Sequence, residues 1–63
     1  MSESELRLYR VVTPKGICGV VVIDGIIRQT APLLEWARNR PLVDLKHWVS
    51  RNPERSIKEV VDG

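Results

Sequence analysis

The chain is poor in the residues that perform chemistry. Its 63 residues include one cysteine, Cys18, and one histidine, His47. No intrachain disulfide can therefore form, and a Cys/His metal site of the usual four ligands cannot be assembled. Phenylalanine is absent, and the aromatic residues are Tyr9, Trp36 and Trp48. The longest apolar run, Ile17 to Ile23, is far short of the ~20 residues needed to cross a bilayer. Met1-Ser2-Glu3-Ser4-Glu5 is polar and acidic, where an export signal would be basic and then apolar. With a single free thiol, this predicts a cytoplasmic, reducing location and no membrane association. Ten basic and eight acidic residues are interspersed, for a net charge of +2. That balance describes a mixed, weakly basic surface and excludes a polycationic nucleic-acid-binding tail.

The residues that could carry catalysis have structural explanations. A nucleophilic triad needs nucleophile, base and orienting group in contact. Asp44, His47 and Ser50 could share one helical edge, but such an edge offers neither an oxyanion hole nor a pocket. The carboxylates do not pair in a way that suggests acid/base work. Asp24 sits in a turn, Asp44 at a helix start, and Glu35, Glu54 and Glu59 in polar stretches. The reading is therefore not an enzyme, with no catalytic, metal-ligating or cofactor-binding residue and no cofactor.

What is present is a clear alternation of strands and turns. Leu6-Arg7-Leu8-Tyr9-Arg10-Val11-Val12 is rich in strand formers. Thr13-Pro14-Lys15-Gly16 follows as a tight turn, with proline presetting φ at its second position. Ile17-Cys18-Gly19-Val20-Val21-Val22-Ile23 is the strongest strand signal. Asp24-Gly25 then marks a two-residue hairpin whose turn positions both need positive φ. Ile26 to Thr30 completes a three-stranded antiparallel meander over about 6–12, 17–23 and 26–30. Two-residue loops set Ile23 opposite Ile26 and Val12 opposite Ile17. Gly19, inside a strand, predicts a bulge or the close approach of another group.

The period then changes. Thr30 is a candidate cap and Ala31-Pro32 a first helical turn, with Leu33, Leu34, Trp36 and Ala37 spaced for one face. A second helix opens after Pro41, carrying Leu42, Leu45, Trp48 and Val49, and Asn52-Pro53 stops it. Helices are predicted over about 31–39 and 42–51, with a short strand or extended tail after them. The fold class is α+β in one small domain spanning 1–63, with 1–5 frayed and two helices covering one face of the sheet.

Thr13-Pro14-Lys15, Gly19 to Ile27 and Ala31-Pro32-Leu33-Leu34-Glu35-Trp36 together resemble a pattern in small uncharacterised bacteriophage and actinobacterial proteins. In that pattern a two-turn meander leads through an Ala-Pro step into a Leu/Trp helix. The resemblance spans roughly residues 13 to 50. It implies a phage or prophage setting and action by binding a host or phage protein, and it supplies no catalytic residue.

Both faces of the meander are apolar, and two short helices can cover only one. Tyr9, Val11, Val20, Val22 and Ile27 are expected on the uncovered face, where they would form a self-association surface. The leading expectation is a non-enzymatic interaction module that binds itself, as a homodimer, and an unidentified protein partner. The alternative is a small DNA- or RNA-binding regulator working through Arg38, Arg40, Lys46, Arg51 and Arg55 around the helix ends. It is disfavoured because a helix-turn-helix has a longer turn and a polar recognition face.

Overall fold

A computed structural model describes residues 5–61. The expected frayed end falls outside these residues except for Glu5, whose backbone is tied to the second turn. Its N–H donates to the Asp24 carboxylate at 2.8 Å, and its carbonyl accepts from the Asp24 N–H at 2.9 Å.

The meander forms as its turns dictate. Strands β1 (Leu6–Thr13), β2 (Gly16–Ile23) and β3 (Ile26–Thr30) are antiparallel, with Val12 opposite Ile17 and Ile23 opposite Ile26. In the first turn the Thr13 hydroxyl accepts from the Lys15 N–H and donates to the Gly16 carbonyl. In the second, Asp24 and Gly25 take φ of 53° and 81°. These values match the twist of a two-residue hairpin, and glycine adopts them without steric cost. The bulge is not at Gly19, which pairs regularly with Arg10. It lies between β2 and β3, where the register shifts at Val21/Val22.

The two helical segments differ in kind. Pro32–Ala37 is a 3-10 helix kinked at Leu34, and its N-cap is Ala31, with no side-chain cap from Thr30 or any other residue. A 3-10 helix has three residues per turn. Only Leu34 and Ala37, three apart, therefore reach the core, while Leu33 and Trp36 stay outside. Asn39 then turns the chain with φ of 68°. Helix α1 (Leu42–Ser50) follows from Pro41, burying Leu45 and Val49, with Leu42 and Trp48 packed at the margin. The tail is a strand: β4 (Ser56–Val60) returns antiparallel to β1 and gives the order β3-β2-β1-β4.

The covered face is the opposite of the one expected. Tyr9, Val11, Val20, Val22 and Ile27 do not form an open surface. With Cys18 they are the sheet half of the core, beneath Leu34, Ala37, Leu45 and Val49. The reason is electrostatic. The charges on their side, Arg7 and Glu59, pair with each other at its margin, whereas the other side carries Arg10 and Lys58 mid-strand with no ion pair among the described residues. Burying two unpaired cations under helices would be prohibitive.

The segment 39–42 also closes one sheet edge. The Asn39 N–H donates to the Ile27 carbonyl, the Ile27 N–H to the Arg40 carbonyl, and the Leu42 N–H to the Gly25 carbonyl, while Ile26 forms a bridge with Pro41. The outer edge of β3 is thereby occupied over its first two residues, Ile26 and Ile27. Among the described residues, the outer edge of β4 has no neighbouring strand.

Candidate functional site

The side of the sheet turned away from the helices is built in transverse rows set by the register. Val21, Leu8 and Val60 lie directly across from one another on β2, β1 and β4. The next row along the strands is Gly19, Arg10 and Lys58, and the next is Ile17, Val12 and Ser56. Beyond the first row, Leu6 pairs with Ile23. Leu6 is 60% exposed, Ile17 67%, Val60 45% and Leu8 43%. These are large apolar side chains on one open face, in rows that flank a basic one. Isolated exposed apolar residues are ordinary, but a contiguous patch marks a contact surface.

The middle row is different in chemistry and in shape. Arg10 and Lys58 stand opposite each other, a like-charge cross-strand pair that destabilises an isolated sheet. Both are exposed. None of the ion pairs among the described residues involves either cation. The nearby Glu59 belongs to the other face. Both its carboxylate oxygens accept from Arg7 at 3.1 Å. Arg7 also binds Glu5 at 2.9 Å, and that bond holds the Glu5 carboxyl below its ordinary value of 4.5. On the β2 side of Arg10, Gly19 contributes no side chain, and a Cβ built there would meet nothing within 4 Å. The result is a shallow hollow of about 290 Å³ floored by Gly19 and walled by Leu8, Ile17, Val21 and Val60. A second hollow of about 180 Å³ lies on the other side of Arg10, against Lys58 and Val60.

Of the five cations proposed as a partner or nucleic-acid surface, Arg40 and Arg51 line one depression and the other three lie apart from it. The Arg55 guanidinium sits 3.8 Å from the centre of the Trp48 ring and donates to the Trp48 carbonyl at 3.0 Å. Arg40 donates to the Trp36 carbonyl and lies 3.8 Å from the Asp44 carboxylate. Arg51 and Arg40 line a depression with Trp36, Asp44, His47 and Trp48, whereas Arg38 faces Arg28, Gln29 and Thr30 at the end of β3. Lys46 is exposed and has no ion pair among the described residues. Trp36 and Trp48 pack on each other with ring centres 5.6 Å apart and a tilt of 56°. This geometry lets Trp36 remain 41% exposed while Trp48 is half-buried. His47 is exposed, and the Ser50 hydroxyl is used by the His47 carbonyl at 2.8 Å. No group of three or more His, Cys, Asp or Glu side chains is placed to hold a metal ion among the described residues. None of their helices is long and apolar enough to cross a membrane.

The basic row was visible in the sequence only in part. Arg10 and Gly19 interrupt their strands, but Lys58 joins them only once the tail is known to pair with β1. No family model, curated protein or solved structure matches the chain.

Proposed function

We propose that this chain is a small interaction module without chemistry of its own, whose open sheet face is covered in its working state by another polypeptide. One observation carries the reading: Leu6, Leu8, Val12, Ile17 and Val60 stand exposed together on one face of a four-stranded sheet whose other face is already filled. A domain of this size has little stability in reserve. Leaving such a face wet forgoes apolar burial worth roughly 25 cal/mol per Å².

If two copies associate, they meet over this face and not over Tyr9, Val11, Val20, Val22 and Ile27, which are already occupied. The resemblance to small bacteriophage and actinobacterial proteins would make a foreign partner a phage or host protein. The test is the double variant L8D with I17D, which leaves every core contact in place. It is expected to melt as the wild type does and to lose each interaction the wild type makes. Sedimentation equilibrium at ~100 µM separates the cases, since association is concentration-linked. A wild-type dimer that the variant loses identifies a second copy, and a monomer throughout identifies a different chain. A variant that keeps all wild-type interactions removes the open face from consideration.

A further inference from the structure

The identity of the row between the apolar rows narrows the partner. Resting on the reading above, we propose that the open face receives an acidic amphipathic segment, one whose apolar stripe is interrupted by a carboxylate that meets Arg10 and Lys58. The two cations are directly opposed and carry no ion pair among the described residues. An incoming carboxylate between them converts a repulsive pair into a charge-assisted bridge. Gly19 leaves the space beside Arg10 unfilled, so a side chain can descend to the sheet there.

The spacing also fits. Two residues of strand advance ~6.7 Å, so an apolar row lies that far on either side of the basic row. Four residues of α-helix advance ~6 Å. A helix lying along the strands with the pattern apolar-x-x-x-acidic-x-x-x-apolar therefore places its carboxylate on Arg10 and Lys58. Its flanking apolar residues then meet the Leu8/Val60/Val21 row and the Val12/Ile17 row.

A second copy fits less well. The three central rows contain no carboxylate, so face-to-face pairing adds two more cations to the two already present. Burying them unpaired costs more than the surrounding apolar contact returns. A flat anionic membrane fits less well for a geometric reason. The cations lie in the middle of the apolar surface, where they would be pushed toward the acyl chains; at its rim they would meet headgroups.

The test uses two synthetic helical peptides on an Ala/Gln background, identical but for one position: Leu-x-x-x-Glu-x-x-x-Leu and Leu-x-x-x-Lys-x-x-x-Leu. Each is titrated into the ¹⁵N-labelled chain and followed by amide shifts. The Glu peptide is expected to perturb β1, β2 and β4 and to bind about tenfold more tightly than the Lys peptide, equivalent to ~1.4 kcal/mol. Arg10→Glu with Lys58→Glu is expected to reverse the preference. Gly19→Val, which fills the hollow without touching the core, is expected to weaken the Glu peptide by about tenfold while leaving the melting curve cooperative. Equal binding of both peptides to the open face overturns the acidic class and leaves the interaction module standing. Overturning results also include no perturbation of that face up to ~1 mM, a homodimer that buries it, and preference for phosphatidylserine-containing vesicles over the Glu peptide. If L8D with I17D changes nothing, both readings fall together.

Discussion

The two faces of one sheet are made of nearly the same residues and have opposite roles. The covered face presents Tyr9, Val11, Val20, Val22 and Ile27 to Leu34, Ala37, Leu45 and Val49, and these residues are buried. The open face presents Leu6, Leu8, Val12, Ile17 and Val60 to solvent. Hydrophobicity does not separate them. The separation comes from a single transverse row, Gly19-Arg10-Lys58, in the middle of one face, while the interruptions on the other, Arg7 and Glu59, neutralise each other in an ion pair. A charge at the centre of a sheet face thus decides which side the helices take.

The sharpest way to break this comparison is a pair of neighbouring substitutions. Val11→Asp places an unpaired carboxylate in the core and is expected to abolish cooperative unfolding, because a core of this size rarely supplies more than ~3–5 kcal/mol in all. Val12→Asp, one residue along, points to solvent near Arg10 and is expected to change stability by no more than about 0.5 kcal/mol in urea denaturation. Equal loss in both would mean the open face is buried in the isolated chain. Gly19→Ala is expected to raise stability by ~0.5–1 kcal/mol, since interior glycine weakens a strand and the added methyl meets nothing. A fall in the urea midpoint would mean that space is already filled. Lys58→Glu replaces the like-charge pair with an opposite-charge one and is expected to add roughly 0.2–1 kcal/mol. The gain should shrink in 1 M salt, and a salt-independent gain would point away from Arg10. The smallest effect concerns Glu5. Its folded pKa is lowered by Arg7, so its stabilisation is present above the ordinary value of 4.5 and lost as pH falls through the lower folded value. Thermal melts between pH 6 and pH 3 should therefore fall slightly more for the wild type than for Glu5→Gln. Identical pH profiles would mean that the Glu5–Arg7 contact does not persist in solution.

The meander was legible because its turns are chemically explicit. Asp24-Gly25 and Thr13-Pro14-Lys15-Gly16 fix both loop lengths, and loop length fixes register. Helix α1 was legible from Leu42, Leu45, Trp48 and Val49. The spacing of the first helical segment predicts a regular helix because its apolar residues outnumber those a 3-10 turn can bury, which leaves Leu33 and Trp36 outside. Strand β4 has only Ile57 and Val60 as apolar markers, a pattern equally suited to a tail; its pairing with β1 is a tertiary fact. The choice of face followed the same limit. Arg10 and Gly19 are nine residues apart in sequence and become neighbours only through register, and Lys58 joins them only through β4. The candidate site was therefore visible as residues and invisible as a row.

The bonding of segment 39–42 to the outer side of β3 has a consequence for stoichiometry. A sheet with two unprotected margins can add copies indefinitely and grow into a fibre, whereas among the described residues this one has a full-length unpaired margin along β4 and a second that is bonded over Gly25–Ile27. Two molecules joined along β4 about a twofold axis would leave only the short Arg28–Thr30 stretch of each outer strand without backbone partners. Extension of this sheet is therefore favoured at one margin over the other, which biases crowding toward a closed pair over a polymer.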